Sequence, residues 1–158
     1  SFYGGAGLAP PNYTRVLGTN SPVMGLAFDP STDEGCFWAF QISGYTSGNL
    51  TLLIPWYADS ASSGNVVWEA RIQVITADTD TQDVETDGFA SSNYVQDTHL
   101  GTTGQRLHQA TITISNLDSL ADGDWVRIEL RRDANGTNAT DDMTGDAIIW
   151  ELVTLSWS

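Results

Sequence analysis

A period of two in side-chain character runs through much of this chain, and it restricts the fold more than any other feature. Ala110, Ile112 and Ile114 alternate with Thr111, Thr113 and Ser115, and Val126, Ile128 and Leu130 alternate with Arg127, Glu129 and Arg131. Successive side chains of a strand point to opposite faces, so such a segment has one apolar and one polar side, as a half-buried antiparallel strand requires. Residues 36–42, 50–57, 66–76, 107–115, 125–132 and 147–157 are rich in the β-branched and aromatic residues that suit a pleated surface, and turn formers separate them. Weaker strands are expected within 83–89 and 94–100, for about eight in all. No window follows a helical period, and 116–122 is expected to form at most one short helical turn. The expected fold is all-β, an antiparallel β-sandwich of jelly-roll type, with an immunoglobulin-like sandwich as the competing arrangement. The long 78–104 stretch favours the jelly roll, because it suggests a connection between sheets rather than a simple hairpin.

Residues 1–35 are expected to form an extended, irregular N-terminal arm ahead of the domain at 36–158. Gly4, Gly5, Gly7, Pro10, Pro11, Gly18, Pro22, Gly25 and Pro30 interrupt both helix and ladder pairing. Phe2, Tyr3, Leu8 and Tyr13 would be wasted on a solvated tail, so the arm is read as lying along a surface, its own or a neighbour's. Two strands are apolar on both faces. Cys36, Trp38, Phe40 and Ile42 oppose Phe37 and Ala39, and Ile148, Trp150 and Leu152 oppose Ile149, Val153, Leu155 and Trp157. A two-layer sandwich buries one face of each sheet, so the second face needs cover from the arm, a loop or another subunit.

The 158 residues suit one domain, and a chain of this length buries roughly 70% of its unfolded surface without a staple. Twenty acids face six arginines and no lysine, a net charge of −14 that repels phosphate backbones and makes nucleic acid a poor partner. Arginine without lysine points to specific planar ion pairs rather than bulk solvation. Cys36 stands alone, so no internal disulfide forms. No signal-peptide pattern opens the chain and no apolar run approaches 18 residues, so no membrane span is expected. A start at Ser1 fits either loss of an initiator methionine or earlier processing.

Catalytic constellations are sparse. His99 and His108 are the two histidines, no serine occupies a nucleophile elbow, and Cys36 opens an apolar strand. Glu69, Glu129 and Glu151 lie on strands, where two acids in a groove would suit a glycosidase, but Arg71, Arg127 and Arg131 share those strands and offer cross-strand pairing instead. The expectation is no enzyme and no cofactor. Asp133, Asn135 and Asp141 are weak calcium candidates in a loop that also reads as ordinary Asp/Asn/Gly turns, and 78–83 is open to the same two readings. Among six tryptophans, Trp125 is the best platform for a carbohydrate, because it alternates onto the face of Arg127, Glu129 and Arg131. The sequons at Asn12, Asn49, Asn135 and Asn138 carry little weight in a threonine-rich chain.

Two stretches are similar to known proteins. Pro55-Trp56-Tyr57-Ala58-Asp59 with Gly64 and Val67-Trp68-Glu69 is one. Residues 120–128, then Arg131-Arg132-Asp133-Ala134 and Gly145-Asp146-Ala147-Ile148, form the other. Together they resemble small jelly-roll virion proteins of tailed bacteriophages, most of all head decoration (cement) proteins. The resemblance spans roughly 50–158 and is moderately specific, since a Gly-Asp before an alternating strand also occurs in tumour-necrosis-factor-like domains. It implies a structural protein on the capsid exterior of a virion, clustered as a homotrimer and bound to the major capsid protein. Phe2, Tyr3, Leu8, Tyr13, Trp125 and Arg127 would then be its interface. The other reading is a carbohydrate- or receptor-binding jelly-roll domain of a tail fibre or similar appendage.

Overall fold

The computed structural model describes residues 8–151 and 153–158, and Phe2, Tyr3 and Leu152 lie outside them. Among the described residues ten strands follow one another: β1 (Asn12–Leu17), β2 (Pro22–Phe28), β3 (Glu34–Gln41), β4 (Leu50–Ala58), β5 (Asn65–Ile75), β6 (Asn93–Thr98), β7 (His108–Ile114), β8 (Trp125–Arg132), β9 (Ala147–Trp150) and β10 (Thr154–Ser156). No helix among the described residues is long and apolar enough to cross a membrane.

The pairing identifies the architecture. β5 pairs with β6, β4 with β7, β3 with β8 and β2 with β9, all antiparallel, so that four pairs nest inside one another like a long hairpin rolled on itself. Lateral pairing of β4 with β9 and of β5 with β8 then closes two sheets. One holds β1-β2-β9-β4 with β7 and β10 also on β4, and the other runs β3-β8-β5-β6. This is the rolled double Greek key of a jelly roll.

The core forms where the period of two predicts it. Leu50, Leu52, Ile54 and Trp56 of β4 and Ala110, Ile112 and Ile114 of β7 face Val66, Trp68, Ala70 and Ile72 of β5 and Val126, Ile128 and Leu130 of β8. Thr111 and Thr113 stay exposed between their buried neighbours, as alternation requires. Phe28 meets Trp68 edge to face at 5.2 Å and 87°.

Three sequence expectations are corrected. Residues 8–35 are not an irregular arm. β1 and β2 form an edge hairpin of the first sheet, and Leu26 and Phe28 enter the core. Proline and glycine fit here because of where they stand. Pro22 opens its strand, where proline is tolerated. A Cβ on Gly25 would lie 2.2 Å from the Ile149 carbonyl oxygen, so only glycine lets β2 approach β9 this closely. The 83–89 segment is turns, not a strand. The Asp83 carboxylate takes the Glu85 N–H and its carbonyl takes those of Thr86 and Asp87, a local alternative to a ladder. Finally, 147–157 is not one continuous strand. Trp56 faces Ile149 but Leu53 faces Thr154, a slip of two residues, and Glu151 lies within it in the left-handed region (φ 59°).

Candidate functional site

The outer face of the β3-β8-β5-β6 sheet gathers three of the chain's six arginines, Arg71, Arg127 and Arg131. The register sets Trp125 between Gln41 and Ile75, Arg127 between Ala39 and Gln73, Glu129 between Phe37 and Arg71, and Arg131 between Gly35 and Glu69, with Tyr94 beyond Glu69. At a strand rise of roughly 3.4 Å per residue, the row from Trp125 to Arg131 is about 20 Å long. Arg131 donates from Nε and Nη2 to Glu69 at 2.7 Å each, and Arg71 donates from Nε and Nη2 to Glu129 at 2.9 and 3.2 Å. Both pairs are bidentate, the geometry that holds a guanidinium and a carboxylate in one orientation. Asn138 Nδ2 adds a third bond to Glu69 at 3.0 Å, and Arg127 Nη1 donates to Gln73 at 2.9 Å.

The loop between β5 and β6 walls this face. Gln73 Nε2 donates to the Asp87 carbonyl at 2.7 Å, and the Ala90 N–H donates to Ile72 at 2.8 Å, which pins the loop beside the sheet. The Arg127 guanidinium stacks over Phe37 at 4.7 Å and lies 5.8 Å from the Phe89 ring, while Arg71 covers Phe89 at 4.8 Å. A cleft of about 450 Å³ opens among Phe37, Arg71, Phe89, Arg127, Glu129 and the loop acids Glu85 and Asp87. At opposite ends of the row, Trp125 is 48% exposed and Tyr94 51% exposed.

The sequence candidates separate as follows. Trp125 and Arg127 share this face. Leu8 lies beside it at Gly35, where its Cδ1 would come within 2.8 Å of an added Cβ. Tyr13 stands on the edge strand of the other sheet and donates its hydroxyl to Met24 Sδ. Phe2 and Tyr3 lie outside the described residues. Of the three acids weighed for glycoside hydrolysis, Glu69 and Glu129 are bound by arginines here, and Glu151 follows β9 in the opposite sheet. The loop oxygens weighed for calcium are committed to the protein. Asp133 accepts the Thr137 and Asn138 N–H groups, Asn135 Oδ1 accepts from Thr137, and Asp141 pairs with Arg132. Among the described residues no group of three His, Cys, Asp or Glu side chains gathers at metal-binding spacing.

Phe37, Phe89, Gln73 and Tyr94 escaped the sequence reading. Only the outward phase of β3 and β5 hinted at Phe37 and Gln73, and Phe89 joins the site through its loop. Burial pushes the Cys36 thiol up to about 12, with Glu129 adding to the rise, so it is a core group and not a nucleophile.

The two histidines hold backbone. Leu100 N–H donates to His108 Nε2 at 3.0 Å, Gly101 N–H donates to His99 Nδ1 at 3.1 Å, and His99 Nε2 lies 3.0 Å from the Gly104 carbonyl. Each ring must keep a lone pair for an amide. Burial first, then the neighbouring His99 ring, holds the His108 imidazole below its ordinary value, against the pull of Asp97. A depressed histidine takes its proton in the unfolded chain first, so its contribution is complete above the unfolded value and is lost as pH falls through it. Thermal melts should therefore show a lower Tm at about pH 5.5 than at about pH 7.5, straddling the unfolded histidine value near 6.5. In His108→Gln the drop should shrink, and an equal drop in both proteins would refute the assignment.

No family model and no curated protein matches this sequence. Among solved structures, the chain is similar to TmCBM61, determined in complex with β-1,4-galactotriose, at 10% identity and a TM-score of 0.47, covering 100% of this chain and 88% of that one. It is also similar to CBM28, a carbohydrate-binding module specific for non-crystalline cellulose, at 10% identity and a TM-score of 0.48, covering 92% and 82%. These are likenesses of fold, and they assign no ligand to this chain.

Proposed function

We propose that this domain is a carbohydrate-binding module that holds a neutral glycan chain across the outer face of the β3-β8-β5-β6 sheet. One observation carries the reading. Two half-exposed aromatic rings, Trp125 and Tyr94, mark the ends of a row of partly exposed arginine heads that the buried Glu129, Glu69 and Gln73 already lock in place. Sugars present apolar C–H faces to stacking rings and hydroxyls to fixed donors and acceptors. Heads held by bidentate pairs lose little further freedom on binding. The elongated row suits a linear ligand. A net charge of −14 disfavours anionic polysaccharides, which leaves neutral ones.

Attachment to a capsid lattice has less support. Part of the contact surface which that reading named came from an extended N-terminal arm, and residues 12–28 of it are instead bonded into the chain's own sheet. A protein–protein contact would also favour an interface core depleted of charge, and this face is built from charges.

Affinity electrophoresis and calorimetry against soluble β-glucan, galactan, xylan and mannan test the proposal. At least one should bind, and Trp125→Ala should weaken it by about 30-fold, the loss expected of a tryptophan anchor. Its Tm should stay close to that of the wild type, because the ring is half exposed. Retention of full affinity in Trp125→Ala, or no binding across the panel, would sink the reading.

A further inference from the structure

The two sheets do not end together. Leu26 and Phe28 of β2 enter the core, so Met24 faces the same way. Tyr13, Arg15 and Leu17 share that face, because the register sets them opposite Leu26, Met24 and Pro22. Yet Tyr13 is 66% exposed, Leu17 75% and Met24 46%. The four-stranded sheet ends at β3 and leaves these core-side residues uncovered. A groove of about 360 Å³ opens beside β3, lined by Trp38, Phe40, Leu26, Ile149, Val153 and Leu155.

The same side of β3 presents open backbone. Ile42 N–H donates to the Asp124 carbonyl on the β8 side, whereas Gly35 N–H donates away from β8, to the Ala9 carbonyl. Backbone groups alternate in direction along an antiparallel strand, so those of Ala39 and Gln41 point outward with Gly35. Ala9 takes the Gly35 end of this edge. The outward backbone groups of Ala39 and Gln41 have no hydrogen-bond partner among the described residues. Strand edges are usually blunted by charge or proline, and residues 36–42 contain neither.

We infer that this edge takes one extended, basic segment of a partner protein, which adds to the four-stranded sheet as an antiparallel strand beside β3. Donors and acceptors at strand spacing are matched by the backbone of another strand, while the groove below receives every second side chain. Those side chains are apolar, since they rest on Phe40 and cover Met24 and Tyr13. A second copy of this chain does not fit. Its β3 would bring its own six-stranded sheet against β1, and its charge of −14 would repel the first copy. The same charge, in a domain without lysine, favours a segment that carries lysine or arginine at its outward positions.

The probes are four peptides, acetyl-KΦTΦTΦK-amide with Φ as Val, Ile, Leu or Phe, titrated into the intact protein while its backbone amides are followed by NMR. At least one should bind with an affinity of about 10–100 µM and slow exchange of the Ala39 and Gln41 N–H groups. N-methylation of the two Thr residues, which pair with Ala39 and Gln41, should weaken that peptide by about tenfold or more. Replacing its Lys residues by Glu should do the same. Ala39→Pro removes one edge donor where an outermost strand tolerates proline, so binding should be lost while the Tm stays close to that of the wild type. No protection of Ala39 and Gln41 by any peptide, or full affinity in the N-methylated or the Glu analogue, would overturn the inference. So would a dimer of the protein in which those two amides are already protected. The N-methylated peptide decides the matter even if Ala39→Pro misfolds.

Discussion

Arg132→Met is expected to cost about 3–5 kcal/mol, the usual loss when one partner of a buried ion pair is removed, which for a domain of this size lowers Tm by roughly 10 °C. Arg132 is 0% exposed, and its five donors are all used. Nε and Nη2 hold Asp141 at 3.0 and 2.7 Å, Nη1 reaches the Phe28 and Gly145 carbonyls at 3.1 and 2.9 Å, and Nη2 reaches Met143 at 2.8 Å. The side chain thus ties the end of β2, the loop before β9 and its own strand into one corner. Nearby, burial holds Glu34 and Asp146 above the ordinary carboxylate range, and the Arg132 charge works against that rise. Removing the guanidinium strands the Asp141 carboxylate and leaves three backbone carbonyls without this donor. The double change Arg132→Met with Asp141→Leu separates these effects. It should recover the part due to the lone charge and keep the part due to the carbonyls, together with the loss of the bond from the Val67 N–H to Asp141. Chemical denaturation of the two variants reads both, and full recovery in the double variant would show that the carbonyl bonds contribute nothing.

Trp56→Ala is expected to cost about 3–5 kcal/mol, as large aromatic truncations in well-packed cores do. The indole is fully buried, stacks on His108 at 4.6 Å and 24°, and donates Nε1–H to Asp97 at 2.7 Å. Its loss removes packing and leaves Asp97 without that donor. It also removes the surface against which the His108 ring rests, and that ring holds the Leu100 N–H. Hydrogen exchange should therefore accelerate most at Leu100 and Gly101, ahead of the β4–β7 ladder. Trp56→Phe keeps most of the ring and loses the bond to Asp97, so about 1.5–3 kcal/mol is expected from it. Uniform acceleration across the sheet, with no excess at Leu100, would contradict the link between this core residue and its loop.

The face bearing Trp125 was partly legible from alternation. Once β8 is a strand with Val126, Ile128 and Leu130 inward, Trp125, Arg127, Glu129 and Arg131 must share the other side. The absence of lysine likewise foretold specific arginine pairs, and Arg71, Arg131 and Arg132 make them. The partners were not legible, since pairing Arg71 with Glu129 joins residues far apart in the chain through a strand register that local pattern does not encode. The open edge of β3 left no local signal at all. Ala39 and Gln41 become edge groups only when β8 takes one side of β3 and Ala9 takes the Gly35 end of the other.

The same distinction explains residues 8–35. Read locally, proline and glycine there break structure; in the folded chain Pro22 begins a strand and Gly25 lets β2 lie against β9. Side-chain periodicity is a property of a segment, and it suffices to establish an all-β chain, most of its strands and which face of each is buried. Register, edge position and close approach arise between segments, so only the assembled sandwich could show that residues 12–28 are a strand pair, that Arg71 takes Glu129 while Arg131 takes Glu69, and that the Tyr57 hydroxyl is left without a partner.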